Sequence, residues 1–347
     1  MRLVEEAELL RFYKKFPGLN FKSAEKFSTR SRVEQALTNI SARYIYPIID
    51  GIPVLLAEAA FDMSLSAQDI KTLDEKKKKV LDFYNAQGWV SSSAGNYEDA
   101  IIYEDLRPVS AAYILACHKR VCRHLPLRGK YLLDAASGAV QYDIYLSYSE
   151  NFEYRICVDF SLLALKEAQK KLGKKGIYLL CDIAHLPLND SVIDAFVSLN
   201  TIYHIPAEEQ VRSVKELYRS LVENGKGVLV YDWFKHSSWM NISLLPFRSF
   251  VFIKNKTILG LKKLTGKNDQ GGRLYFFAHR LEYLRRQLPP FELFVWRTVS
   301  VPFLKYYVHS WLFGKSFLEW LYRFEERDPE ICGKNGEYPM LVFEKKF

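Results

Sequence analysis

Four polar residues, Asp134, Asp159, Asp182 and Asn200, stand at or just after the ends of short apolar runs, spaced 25, 23 and 18 residues apart. Each interval is about one strand plus one helix. In an open α/β sheet, ligands bind outside the carboxyl ends of the strands, near the point where strand order reverses. An ionised carboxylate only accepts hydrogen bonds, so one after the second strand suits a pair of ribose hydroxyls and one after the third suits an adenine amine. The loop Ala135-Ala136-Ser137-Gly138-Ala139 contains only small residues, which lets the backbone approach a ligand closely. A single strand-end aspartate is more often a turn or helix cap. Three in consecutive strand-end positions favour a nucleoside-type cofactor instead. A nicotinamide cofactor is disfavoured, because the loop lacks G-x-G-x-x-G.

These residues need a sheet to carry them. Tyr131–Asp134, Arg155–Asp159, Ile177–Cys181, Ile193–Leu199 and Gly227–Tyr231 read as buried strands. Ser161 can cap a helix with Leu162, Leu165, Ala168 and Leu172 on one face, and a second helical pattern runs from Ala207 to Val222, closed by Asn224-Gly225. Apolar strands alternating with amphipathic helices predict a doubly wound α/β domain with a parallel sheet, over residues 128–235. Residues 1–66 read as a small α+β module with a hairpin signal at Asp50-Gly51. Residues 67–127 read as a helical connector and lid, in which Lys76 to Lys79 form a solvated face and 107–125 an amphipathic helix. Residues 236–347 read as a substrate-cover insertion plus a closing strand at Tyr338–Glu344, with the twelve aromatics of 291–324 at helical core spacing.

With 49% hydrophobic and 26% charged residues, the 347-residue chain can bury a sizeable core, which argues against wholesale disorder. The five cysteines show neither a disulfide framework nor metal-ligand spacing. Charges interrupt the apolar N-terminus and there is no run of about 18 apolar residues, so a cytoplasmic protein is expected. The net charge of +9 is concentrated: 240–286 holds ten Lys or Arg against Asp269 and Glu282. That segment suits a helical hairpin over the site, a contact with a membrane surface or anionic glycan, or, less well, an RNA surface.

From Leu132 to Trp233 the chain resembles class I S-adenosylmethionine-dependent methyltransferases, through LLDAASGAVQ, CVDFS, CDIAHLPLNDSVIDAFVSLNTIYHI and ELYRSLVENGKGVLVYDW in that order. The resemblance implies a Rossmann-like fold and S-adenosylmethionine as cofactor. It places Asp134 and the loop Ala135, Ala136, Ser137 and Gly138 near the methionine amino group, and Asp159 with Phe160 at the ribose. Asp182, with Cys181 and Ile183, falls at the adenine, and Leu199 and Asn200 fall at the methionine end. The family usually carries three glycines in its first loop; this chain keeps Gly138, with Ala136 and Val140 at the flanking positions. The stretch YPIIDGIPVLL resembles the end of the small zinc-ribbon methyltransferase activators, but residues 1–116 contain no cysteine, so a metal-free remnant is expected.

Methyl transfer is an in-line displacement in which the protein supplies positioning, and a base is needed only for a protonated nucleophile. His204 is the candidate base and Asp232 its orienting partner, with Tyr84, Arg107 and Tyr203 as substrate contacts. The expected activity is methylation of a hydroxyl or amine on a small molecule or glycan intermediate. The alternatives are a non-catalytic cofactor-binding partner subunit and an RNA methyltransferase. Asn200-Thr-Ile-Tyr203 replaces the Asn/Asp-Pro-Pro-aromatic tetrapeptide, which argues against methylation of adenine or glutamine amines in the family's usual manner.

Overall fold

Runs that are apolar on both faces must be covered on both faces, and the strands at the centre of this chain are. The computed structural model describes residues 2–3, 35–38, 44–56, 61–62, 77, 98–247, 249 and 275–346. The expected helix from residue 67 (Lys77 apart), Tyr84, and the basic stretch at 248 and 250–274 lie outside the described residues.

Near the N-terminus, β1 (Arg2–Leu3), β2 (Gln35–Thr38), β3 (Tyr44–Ile49), β4 (Ile52–Pro53) and β5 (Phe61–Asp62) pair antiparallel in a small sheet. The β3–β4 turn is made as expected by Asp50 and Gly51, both with positive φ. Beyond it, Leu55 donates its N–H to the Leu180 carbonyl at 2.7 Å, and Ile49, Ile52, Val54 and Leu56 are buried with Leu162, Leu165 and Leu180. The segment thus covers an edge of the main sheet, which an exposed strand requires.

Helices α1 (Glu98–Tyr103) and α2 (Pro108–Arg123) lead into β6 (Gly129–Ala135), β7 (Phe152–Asp159), α3 (Leu162–Leu172), β8 (Gly176–Leu180), β9 (Ile193–Leu199), α4 (Ala207–Ser220) and β10 (Leu221–Val230). After them come α5 (Ser238–Ser243), α6 (Leu281–Gln287), β11 (Phe291–Arg297), α7 (Val301–Tyr307), α8 (Gly314–Arg327), α9 (Pro329–Asn335) and β12 (Tyr338–Glu344). The main sheet has the order β11-β12-β10-β9-β6-β7-β8, and all pairs from β10 to β8 are parallel. Strand β12 runs antiparallel between β10 and β11. This is a doubly wound, Rossmann-like sheet, and its order reverses between β6 and β9. Neighbouring residues alternate between its faces. Leu133, Phe196 and Leu229 enter one core with α4, whereas Leu132, Val197 and Val228 enter the other with α2.

Ser161 caps α3 as expected, accepting from the Ala164 N–H at 3.2 Å. Helix α4 stops at Ser220, two residues before the expected end, because Leu221 already pairs with Ile193 in the sheet. The aromatic stretch requires a larger correction. Residues 291–297 form strand β11 and not a helix, since β12 offers them a full ladder of partners. Helices do form at Val301–Tyr307 and from Gly314 onward, yet Trp320 is exposed, and so is Trp311 in the turn between them; only Trp296 of the three tryptophans is buried. No described helix is long and apolar enough to cross a membrane.

Candidate cofactor and acceptor site

The carboxyl ends of β7, β6, β9 and β10 open in that order onto one cavity of about 740 Å³, within the usual range for small-molecule sites. Asp134, Ala136, Ser137, Asp159, Phe160, Cys181, Ile183, Leu199, Asn200, Tyr203, His204 and Asp232 all border it, so twelve residues singled out in the sequence converge.

Asp159 ends β7, and its carboxylate accepts the Gly138 and Ser161 N–H groups, each at 2.8 Å. Burial pushes its pKa up to about 6, against the pull of those two N–H groups. Asp134, at the end of β6, is buried and receives the Nε and Nη2 of Arg155 on one oxygen at 3.0 and 2.5 Å. Asn200, after β9, has φ +55°, and its Oδ1 is buried without a partner among the described residues. A buried acceptor left unbonded is costly, about 1–3 kcal/mol, unless a donor reaches it.

The loop after β6 keeps the backbone of a glycine-rich turn without its glycines. Ala136, Gly138 and Val140 all have positive φ, at +57°, +56° and +50°. Non-glycine residues there carry a steric penalty of roughly 1–2 kcal/mol. Ala136→Gly is therefore expected to stabilise the fold by about 0.5–1 kcal/mol after the added freedom of the unfolded chain is counted, read as a raised urea midpoint. An unchanged or lowered midpoint would show that the loop is not strained at Ala136. The same change at Val140 would forfeit a fully buried side chain and cancel its own benefit.

Several expected residues lie elsewhere. Ala135 is fully buried inside the sheet, and Gly138 meets Asp159 rather than the cavity, so neither borders it. Asp182 also stands outside the lining. Its carboxylate accepts from the Ala184 N–H at 2.8 Å and pairs with Lys77 at 2.6 Å. Burial would raise its pKa, but the Lys77 ammonium holds it below the usual range. Lys77 belongs to the run expected to be solvated, yet it is buried, bridges Asp182 and Glu209, and lies 6.0 Å from the Phe160 ring centre. Arg107 does not reach the cavity either. It is spent on the buried Asp105 carboxylate at 2.7 Å and the Leu304 carbonyl at 2.7 Å, tying α2 to α7. Tyr84 lies outside the described residues.

His204 does not cap α4. Its Nδ1 meets the Tyr275 carbonyl at 2.8 Å, which places the ring proton on Nδ1, and burial lowers its pKa to about 4. Asp232, after β10, accepts the Phe234 N–H at 2.6 Å. Burial, reinforced by the neighbouring Glu337 carboxylate, drives its pKa well above the ordinary value.

Sequence reasoning missed the residues that complete this end of the cavity: Glu104, His118, Arg297, Glu337 and Tyr338. Arg155 and Arg297 did carry a signal, since a guanidinium inside an apolar strand must have a buried partner. The others come from separate elements and share no local pattern.

Residues 133–229 match the methyltransferase domain family. No curated protein matches the chain. Among solved structures, the YcgJ protein of Bacillus subtilis is 20% identical over 34% of this chain and 51% of that one, with a TM-score of 0.30. Phosphoethanolamine N-methyltransferase 1 of Haemonchus contortus, solved with phosphoethanolamine and S-adenosylhomocysteine, is 15% identical over 50% of this chain and 36% of that one, TM-score 0.39. The PH0226 protein of Pyrococcus horikoshii OT3 is 18% identical over 50% and 69%, TM-score 0.34. The chain thus spans about half the length of the first and about a third of the second.

Proposed function

We propose that this chain, whose residues 133–229 match the methyltransferase domain family, is a class I S-adenosylmethionine-dependent methyltransferase that methylates a hydroxyl or amine on a small molecule or glycan intermediate. The observation that carries the reading is one cavity at the reversal point of the sheet, bordered by both Asp159 and Asn200, where the Asn200 Oδ1 is buried with no partner among the described residues. A cofactor with a ribose at one end and an ammonium at the other donates to both. Asp159 would hold the ribose hydroxyls, Asn200 and Asp134 the methionine ammonium, and Phe160, Cys181 and Ile183 would wall the adenine. Asp182 would act at one remove, through Lys77. When bound, the cofactor supplies a methyl group on a sulfonium. The protein's part is to align that methyl with an acceptor and to exclude water.

The burial of Ile49, Ile52, Val54 and Leu56 against the main sheet supports a covering role for residues 46–56 and no chemistry of their own. The RNA reading rests on the basic stretch, most of which lies outside the described residues, and on the activator-like N-terminus, and no described residue favours it.

Calorimetric titration of the full chain with S-adenosylmethionine is expected to give saturable binding at a single site; no heat of binding would overturn the reading. The pH dependence follows from Asp159. Its folded pKa of about 6 lies above the ordinary 3.8, so without cofactor its contribution to stability falls as pH rises from about 4 to about 6. Ribose hydroxyls favour the carboxylate form. Affinity is therefore expected to plateau above about pH 7 and to weaken roughly tenfold per unit below about pH 6. Constant affinity from pH 5 to 8 would remove Asp159 from the ribose.

A further inference from the structure

Strands in this sheet lie about 4.8 Å apart, so the end of β10 is roughly 14 Å along the sheet from the end of β7. The cavity spans both. A nucleoside held by Asp159 and Asn200 leaves the β10–β12 end for a second molecule. There Asp232 follows β10 and Glu337 precedes β12, brought together by the bond from the Trp233 N–H to the Glu337 carbonyl at 2.9 Å. Glu104, after α1, adds a third carboxylate, but the guanidinium of Arg297 binds it at 2.5 Å. Tyr338 completes this wall, and Lys305 borders the cavity from α7.

A second observation points to a ligand at the same place. His118, on α2, is 3% exposed and borders the cavity, and neither of its ring nitrogens has a hydrogen-bond partner among the described residues. It sits among Tyr142, Tyr145 and Trp296, with ring centres 5.4, 5.3 and 5.1 Å away. A buried imidazole with two unmet nitrogens is expensive unless a ligand completes it.

From these residues, and resting on the methyltransferase reading, we propose that the methyl acceptor is an amine that enters as its ammonium, bound by the Asp232–Glu337 carboxylate pair and His118. Burial and the neighbouring Glu337 carboxylate favour the protonated form of Asp232, while the Phe234 N–H and the Arg297 guanidinium pull the other way, so an arriving ammonium displaces that proton. Aromatic faces around the pocket favour the same charge. The low pKa of His118, about 4 through burial, keeps it neutral beside a cation. The apolar walls of Ile102, Val301, Pro302 and Tyr306 suit a hydrocarbon body behind the nitrogen.

The chemistry balances without another reactant. The bound ammonium passes one proton to the carboxylate pair, which exposes its lone pair. That pair forms the N–C bond while the C–S bond breaks, its electrons returning to sulfur as a thioether. The product leaves as a methylated ammonium, and the pair releases its proton to solvent.

The test is calorimetry on the full chain, with and without S-adenosylhomocysteine, using octylamine and octan-1-ol as probes. Octylamine is expected to bind at least tenfold more tightly and to release a proton near pH 7, measured from the buffer dependence of the heat. Asp232→Asn keeps the oxygen that accepts from Phe234. It is expected to lower octylamine affinity at least tenfold and abolish proton release, while leaving octan-1-ol and S-adenosylmethionine binding unchanged; Glu337→Gln is expected to do the same. Equal affinity for the two probes, or octylamine binding indifferent to both substitutions, overturns the amine assignment. If S-adenosylmethionine itself fails to bind the unaltered protein, the methyltransferase reading fails, whatever the amine does.

Discussion

Asp159→Ala is expected to lower affinity for S-adenosylmethionine by a factor of about 100, or roughly 3 kcal/mol. Hydrogen bonds to a charged group contribute about 1.5–3 kcal/mol each, and a ribose would place two hydroxyls on this carboxylate. The substitution also frees the Gly138 and Ser161 N–H groups, so part of the loss would arise in the loop. Asp159→Asn separates the two contributions, because its amide oxygen can still accept from one of those groups. An alanine variant that binds within threefold of the unaltered protein would remove the ribose assignment.

Arg155→Ala is expected to produce the largest loss of stability, about 3–5 kcal/mol, measured by denaturant unfolding. Breaking a buried ion pair from one side strands the other charge, and Asp134 has a single described cation on its carboxylate. Arg155 also donates to the Tyr145 carbonyl at 2.5 Å, so the loop before β7 would loosen as well. Replacing both partners, Arg155→Ala with Asp134→Asn, is expected to recover at least 1 kcal/mol through the coupling of the pair. A single variant that loses less than about 1 kcal/mol would mean that Asp134 is solvated in the folded protein.

The sheet was legible because burial on both faces demands continuous apolar runs, and helical period between them leaves little else to build. The strand-end positions of Asp134, Asp159 and Asn200 followed from the same rule. The first loop is a finer case. Ala136 and Val140 stand where the family usually carries glycine, yet both residues adopt the positive φ that glycine would have taken. Backbone geometry there is imposed by strand, helix and the Asp159–Gly138 bond, and local preference yields to it.

Other features had no local signature. Lys77 sits in a lysine run that looks solvated, and only the approach of Asp182 and Glu209 from two other elements makes its burial tolerable. Residues 291–297 alternate too weakly to announce a strand, and β12 makes them one by offering an unpaired edge. Arg107 reads from the sequence as a substrate contact, but Asp105, two residues away, binds its guanidinium.

By itself the sequence determined the parallel core, the order of its strands and helices, and which carboxylates end them, because period and burial act within one element at a time. Tertiary structure alone decided which of those groups face the cavity and which, like Asp182, are already paired. It also assembled Glu104, His118, Asp232, Arg297 and Glu337 from different elements around one space. Charge and solvation depend on distance in three dimensions, which spacing along the chain does not record.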